Sequence, residues 1–129
     1  MSSVVLDASA VLALLLDEPG AARVASSLDD AALCVVNLAE IVGHYAKLGV
    51  ERRDIEQMLS PLPLQVVDVD PDLAFEAAML RPLTQSAGLS LGDRFCLALA
   101  RRMERPALTA DRPWQSLSEL LGVDIVLIR

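Results

Sequence analysis

The sequence predicts an α/β domain whose mainly parallel central sheet, of about four or five strands, is flanked by helices. Short apolar runs rich in β-forming residues alternate along the chain with segments of helical spacing. The first run, Val4-Val5-Leu6, ends on an acid, Asp7, and residues 10–16 that follow are almost purely aliphatic. A length of 129 residues predicts one domain over residues 1–129, large enough to bury its own core.

The other elements follow from periodicity and from helix-ending or turn residues. The first strand leads into a helix at residues 10–16, and Gly49 and Gly88 mark the ends of later helical segments. Pro82 is expected to kink or break the helix that starts at Asp72. The remaining predicted elements are a loop at 17–20, helices at 21–28, 37–48, 52–59 and 114–121, a helix opened by residues 90–93, and strands at 33–36, 64–69, 107–109 and 123–128.

Composition limits the class of protein. Hydrophobic residues make up 53% of the chain and aromatic residues only 3%, so the core is built from Ala, Leu and Val. So much aliphatic surface in a small domain predicts cover by a partner or a second copy, and a homodimer is expected. Cys34 and Cys96 lie in apolar patterns typical of buried thiols rather than a disulfide, which fits a reducing, cytoplasmic environment. The aliphatic run is too short to span a bilayer, so no membrane association is expected.

The charge balance argues against broad electrostatic binding of nucleic acid. Eleven Lys and Arg residues face eighteen Asp and Glu residues, for a net charge of −7. Binding to phosphates depends largely on neutralisation by Lys and Arg. A local site can oppose the overall sign if metal ions supply positive charge.

Four acids, Asp7, Glu40, Asp93 and Asp111, each fall at the start of a predicted helix. Each has an ordinary structural explanation. Either Asp7 or Ser9 is a candidate N-cap of the first helix, and Asp111 is one for the helix around Trp114. The pairs Asn37 with Glu40 and Ser90 with Asp93 are spaced as capping boxes. Taken singly, an acid at such a position is more often a cap than a catalyst.

Their joint placement favours a metal site instead. The carboxyl ends of parallel strands meet at one edge of a sheet, so the helix starts that follow them converge there. Carboxylates gathered at that edge repel one another unless a cation lies among them. Oxygen-only ligands, without a nearby His or Cys pair, favour Mg²⁺ or Mn²⁺ over zinc.

Four stretches carry a family resemblance: VLDASA at residues 5–10, NLAE at 37–40, GLSLGDRFCLALA at 88–100 and LTAD at 108–111. Their order and spacing along nearly the whole chain resemble those of PIN-domain ribonucleases, and most closely of VapC-type toxins from bacterial toxin–antitoxin pairs. The stretch around Ser90-Leu91-Gly92-Asp93 is the most specific of the four.

The resemblance implies a metal-dependent endoribonuclease with a cognate antitoxin protein as partner. It implies that the four acids surround one or two Mg²⁺ or Mn²⁺ ions, with Asp7 and Asp93 as principal ligands, Glu40 next and Asp111 last. It also implies supporting hydroxyls from Ser9 and Thr109. Transfer RNA, ribosomal RNA and messenger RNA all remain open as substrates.

Two arginines directly follow proposed ligands. Arg94 and Arg112 are candidate contacts to RNA phosphates, and an exposed ion pair explains each about equally well. His44, the one histidine, is expected to be structural or at the surface. Leu12, Leu15 and Leu16 fit either an apolar groove for an antitoxin helix or ordinary core packing.

Other functional classes fit less well. Phosphatases that start from a strand-end Asp need a second acid two residues on and a catalytic Lys, whereas position 9 is Ser and Lys47 is the one lysine. A phospho-acceptor receiver domain needs an acid pair and a late lysine, which the chain lacks. The remaining alternative is a non-catalytic protein-interaction module on the same fold.

Overall fold

A five-stranded parallel sheet organises the computed structural model, which describes residues 3–129. The strand order is β3-β2-β1-β4-β5, so β1 lies at the centre. Every neighbouring pair is parallel. The predicted fold class is therefore confirmed, and the carboxyl ends of all strands point to one edge. The strands are β1 (Val5–Leu6), β2 (Ala32–Cys34), β3 (Gln65–Val67), β4 (Ala107–Thr109) and β5 (Ile125–Leu127).

Helices cover both faces of the sheet. They are α1 (Ala8–Leu15), α2 (Ala21–Ser26), α3 (Val35–Lys47), α4 (Arg52–Leu59), α5 (Pro71–Met79), α6 (Arg81–Thr84), α7 (Leu91–Met103) and α8 (Ser118–Leu121). Short 3₁₀ helices at Gln85–Ala87 and Arg112–Leu117 complete the chain.

Two apolar cores form because successive strand residues point to opposite faces. Val5 packs with α5, α7 and Trp114, whereas Leu6 packs with α1, α3 and Ile55 of α4. Both strand residues are completely buried. The central strand is thus fixed from both sides, and the residue that follows it, Asp7, is fixed with it.

Several boundaries differ from the sequence predictions. The strand predicted at 33–36 ends at Cys34, and α3 begins at Val35 rather than at Asn37. The β-branched pair Val35-Val36 favours a strand locally, but tertiary packing places it in the first turn of a helix. The terminal helix predicted at 114–121 is divided into a 3₁₀ helix and α8. Pro82 lies in the first turn of α6, so the predicted break is confirmed.

Cys34 and Cys96 are both free and buried, as predicted. None of the helices within residues 3–129 combines the length and the apolarity needed to cross a bilayer.

Candidate functional site

Asp7 is a buried carboxylate at the end of the central strand. Its residue occupies the N-cap position of α1, but its side chain makes no capping hydrogen bond. Instead, Asp7 Oδ2 accepts from Ser9 Oγ at 2.7 Å and from Thr109 Oγ1 at 2.9 Å. The cap explanation therefore fails for this side chain, and Asp7 is held by hydroxyls.

The two hydroxyls belong to a network that joins β1 to β4. Ser9 Oγ and Thr109 Oγ1 lie 3.2 Å apart. Each hydroxyl oxygen also accepts a hydrogen bond from a backbone amide. Ala110 N donates to Ser9 Oγ at 3.0 Å, and Asp111 N donates to Thr109 Oγ1 at 3.0 Å. These bonds orient the hydroxyls toward Asp7, as the placement proposed for Ser9 and Thr109 requires.

Glu40 is held by a buried asparagine. Asn37 Nδ2 donates to Glu40 Oε1 at 2.8 Å and to the Gly92 carbonyl at 3.0 Å, which joins α3 to α7. Because α3 begins at Val35, Asn37 lies inside the helix, and the capping box proposed for Asn37 and Glu40 is wrong. The sequence predicted only a capping role for Asn37, although its spacing of three residues from Glu40 puts the two side chains within reach of each other on a helix.

Gly92 gives the Glu40 carboxylate its space. A Cβ atom at position 92 would overlap both carboxylate oxygens of Glu40. A larger residue at this position would therefore have to displace the Glu40 carboxylate, although the backbone of Gly92 is helical and would accept one. In the sequence, Gly92 belongs to the stretch 88–100 that carries the family resemblance, but nothing there indicates that it contacts Glu40.

Asp93 is the one acid of the four whose side chain caps a helix. Ser90 and Asp93 form a capping box at the start of α7, with Ser90 N donating to Asp93 Oδ2 at 2.9 Å and Asp93 N donating to Ser90 Oγ at 3.2 Å. Asp111 precedes a 3₁₀ helix and makes no capping bond. The capping alternative thus holds for Asp93 alone, and one of its carboxylate oxygens stays free of that bond.

The four carboxylates share one electrostatic environment. The pKa of Asp7 is raised to about 6, chiefly by burial and in smaller part by the charges of Asp93 and Glu40, against the opposing hydrogen bonds of Ser9 and Thr109. Burial also raises the pKa of Glu40, where Asp93 adds to the effect, and that of Asp93, where Asp111 adds. No Lys or Arg within residues 3–129 forms an ion pair with any of them. The structure therefore couples Asp7, Glu40 and Asp93 with one another, and brings Asp111 into the electrostatic range of Asp93.

This donor set suits a hard divalent cation in its chemistry. All four side chains offer oxygen, and their mutual repulsion is what a Mg²⁺ or Mn²⁺ ion would relieve. The buried Asn37 Oδ1 has no hydrogen-bond partner among the described residues and is a further oxygen beside Glu40. In this arrangement, however, no three His, Cys, Asp or Glu side chains of residues 3–129 lie close enough together to hold a metal ion.

The arginines and the histidine differ in their relation to this site. Arg94 is half-buried, its Nη1 donates to the Leu89 carbonyl at 2.9 Å, and its charge acts to lower the pKa of Asp93. Arg112 is exposed beside Asp111. Neither forms an ion pair with another described residue, so the ion-pair explanation is not supported.

His44 is exposed, as expected, and lies edge-on to Tyr45 with ring centroids 5.1 Å apart.

Comparisons with known proteins agree on one family. The family model described as PIN domain matches residues 4–120. The fold resembles a chain of the DNA-bound VapBC crystal structure from Salmonella typhimurium, with a TM-score of 0.75, 15% identity and full coverage of both chains.

Two further solved structures share the fold. A chain of the VapBC-family toxin–antitoxin system VapBC-5 from Mycobacterium tuberculosis gives a TM-score of 0.63 at 25% identity, covering 98% of this chain and 99% of that one. A chain of a toxin–antitoxin complex from Klebsiella pneumoniae gives 0.69 at 18% identity, covering 98% of each chain. No curated protein sequence is detectably similar to this one.

Replacing Asp7 with Asn is expected to stabilise the metal-free protein at neutral pH. The folded-state pKa of Asp7 is raised from 3.8 to about 6, so its stabilising contribution is complete below the lower value and is lost as pH rises through the higher one. That change corresponds to about 3 kcal/mol of unfolding free energy. Urea unfolding in EDTA should show the advantage of Asp7→Asn over wild type growing by about this amount between acid and neutral pH.

The exposed acid Asp29 provides the control. Asp29→Asn removes the same charge away from the cluster and should follow wild type at every pH. An advantage of Asp7→Asn that stays constant with pH would contradict the electrostatic coupling.

Replacing Gly92 with Ala is expected to displace the Glu40 carboxylate and break its bond from Asn37. The loss, about 1 kcal/mol for one hydrogen bond, should disappear when Glu40 is already Ala. Chemical denaturation of the four proteins of this double-mutant cycle measures the coupling. Gly43→Ala is the matched control, because a Cβ at position 43 meets nothing within 4 Å. Equal coupling of Glu40 to both glycines would disprove the proposed close approach.

Proposed function

Because the chain belongs to the PIN-domain family, we propose that it is a metal-dependent endoribonuclease and the toxin of a toxin–antitoxin pair. The observation that carries the proposal is the group of four electrostatically coupled carboxylates at the carboxyl edge of the central strand. Open α/β sheets bind ligands at this edge. Solved structures with the same fold include a toxin–antitoxin complex and VapBC proteins, which supports the biological role.

The residues divide into ligands and groups that hold the ligands. Asp7 and Asp93 would be the principal metal ligands and Glu40 the next, while Asp111 would act through water. A bound Mg²⁺ or Mn²⁺ ion would activate water for hydrolysis of the phosphodiester bond and offset negative charge on the phosphate. No protein nucleophile is then needed.

The surrounding side chains orient these ligands. Ser9 and Thr109 both donate to the same oxygen, Asp7 Oδ2, which leaves Oδ1 without a recorded protein donor. Asn37 similarly engages one oxygen of Glu40, and Ser90 one oxygen of Asp93. Each ligand therefore keeps one oxygen available for a cation. Such supporting bonds commonly set metal affinity.

An RNA substrate must approach a chain of net charge −7. Divalent cations at the carboxylates, together with Arg94 and Arg112, would provide the local positive charge that a phosphate backbone requires. RNA binding that persists unchanged after removal of divalent metal would count against this part of the proposal.

The antitoxin would bind an apolar surface. Leu12 and Leu15, which the sequence offered as part of such a groove, pack partly against a core, and Leu16 is 44% exposed. A cavity of about 740 Å³ between α3, α4 and the edge of the sheet offers a larger apolar surface, with Leu38, Val42 and Ile55 among its walls. This cavity also suits the alternative function, a non-catalytic interaction module. The alternative is favoured by the absence, within residues 3–129, of three acidic, His or Cys side chains that could hold a metal ion.

The free, buried cysteines agree with a cytoplasmic location.

Homodimerisation through α5 and α6 is a further part of the proposal. Phe75, Met79 and Leu83, spaced four residues apart, are 72%, 67% and 42% exposed, an unusual degree of exposure for large apolar side chains.

The double variant Phe75→Ser with Met79→Ser is expected to be a monomer in sedimentation equilibrium, whereas wild type is expected to be a dimer. The pair Leu48→Ser with Leu120→Ser removes apolar groups of similar exposure elsewhere and should leave the dimer intact. A dimer that survives the first pair of substitutions must use another face.

Calorimetric titration with Mn²⁺ tests the metal site directly. Wild type is expected to bind Mn²⁺, and Asp7→Asn to bind at least about tenfold more weakly, because loss of a ligand exceeds the usual effect of losing an orienting group. Asp29→Asn should bind as wild type does. RNA cleavage, followed on gels, should need Mn²⁺ or Mg²⁺ and disappear with Asp7→Asn. If wild type binds no metal, the nuclease proposal fails and the interaction-module alternative gains.

A further inference from the structure

We propose that the cavity lined by Arg81, Gln85, Leu89, Ser90, Leu91 and Arg94 is a subsite for a backbone phosphate of single-stranded RNA next to the cleavage site. The inference rests on the proposed nuclease function and adds to it a substrate contact, Arg81, which nothing in the sequence pattern indicated. The cavity is open to solvent and has a volume of about 490 Å³.

The cavity adjoins the carboxylate cluster through shared residues. Ser90 forms part of the cavity wall and also makes the capping box with Asp93. Arg94 is the next residue after Asp93 and acts electrostatically on its carboxylate. A nucleotide chain whose scissile phosphate lies at the carboxylates would therefore place a neighbouring phosphate at this cavity.

Arg94 is fixed in the cavity wall with donors to spare. Its Nη1 donates to the Leu89 carbonyl at 2.9 Å, which fixes the position of the guanidinium group. Its Nε is buried and has no hydrogen-bond partner among the described residues. A guanidinium group carries five N–H donors in a planar fork that suits phosphate oxygens. The structure thus provides a preformed cation; the buried Nε is out of a ligand's reach, and only the Nη groups can donate to a phosphate.

Arg81 adds a second cation to the same cavity. Four other arginines form ion pairs with acids outside this cavity, namely Arg52, Arg53, Arg102 and Arg129. Arg81 and Arg94 form no ion pair within residues 3–129, and both face one cavity. In an acidic protein, two arginines in one wall, neither of them in an ion pair, give this cavity positive charge.

The apolar part of the wall favours a nucleotide over a simple anion. Leu91 is 54% exposed and lies between the polar residues Ser90 and Arg94 of the cavity. An exposed aliphatic side chain next to two cations can pack against a ribose or base while the arginines bind the phosphate. This combination matches RNA better than the carboxylate-rich peptide that an anion site could otherwise bind.

The test measures binding of a fluorescein-labelled, mixed-sequence, single-stranded RNA by fluorescence anisotropy at a series of KCl concentrations. Ca²⁺ replaces Mg²⁺, and a gel verifies that the RNA remains intact. Arg81→Gln is expected to weaken binding about tenfold, the usual loss for a hydrogen bond to a charged group. It should also make the slope of log K against log salt shallower by about 0.7, the value for one lost contact to single-stranded nucleic acid. Arg81→Lys should restore both values in large part.

Arg101→Gln is the matched control. Arg101 is exposed in the last turn of α7, so its replacement makes the same change in net charge away from the cavity. It should bind RNA with the affinity and salt slope of wild type. If Arg81→Gln and Arg101→Gln behave alike, the subsite is disproved.

Two further measurements separate this inference from the nuclease proposal. Mn²⁺ affinity of Arg81→Gln should equal that of wild type, because Arg81 contacts no proposed ligand. RNA binding that depends on Arg81 without metal-dependent cleavage would retain the subsite and reject the nuclease. Metal-dependent cleavage that Arg81→Gln does not change would support the nuclease proposal and reject the subsite. If wild type binds a Glu-rich peptide but not RNA, and does so through Arg81, the cavity belongs to a protein partner and the RNA assignment is overturned.

Discussion

Repulsion among buried carboxylates is the constraint on which the rest of this structure depends. Asp7 lies at the end of a strand that two apolar cores hold from opposite sides, so it cannot move away from Asp93 and Glu40. Hydroxyls of Ser9 and Thr109 offset part of the cost of burying its charge. The remainder favours protonation of Asp7, or binding of a cation, and this is the physical origin of the proposed metal chemistry.

The seam between α3 and α7 shows how closely the site is tied to helix packing. Asn37 reaches across the seam to the Gly92 carbonyl, and the Glu40 carboxylate occupies the space that a Cβ atom at position 92 would enter. Both helices contribute buried residues to the cores. Placement of Glu40 therefore depends on the same packing that gives the domain its stability, which is the arrangement that a precise ligand requires.

Charge is distributed unevenly over this acidic chain. Several arginines are neutralised by neighbouring acids away from the site, for example Arg102 by Asp70, whose pKa it lowers. Arg81 and Arg94 make no ion pair within residues 3–129 and line one cavity, together with Ser90, which also bonds to Asp93. The net charge of the chain argued against binding of nucleic acid. A substrate, however, responds mainly to the electrostatic field of the charges close to where it binds. An acidic protein can therefore carry a local concentration of positive charge next to a group of carboxylates.

The sequence by itself determined the alternation of strands and helices, the acid at the end of the first strand, the Ser90–Asp93 capping box and the burial of both cysteines. All of these follow from periodicity or from residues a few positions apart. Only the tertiary structure decided that α3 begins at Val35, which removes Asn37 from a capping role, and that Asn37 meets Gly92, 55 residues away. It likewise decided that Thr109 meets Asp7, 102 residues away, and that Arg81 shares a cavity with Arg94. Contacts of this kind depend on how whole elements pack, so local propensity carries no information about them.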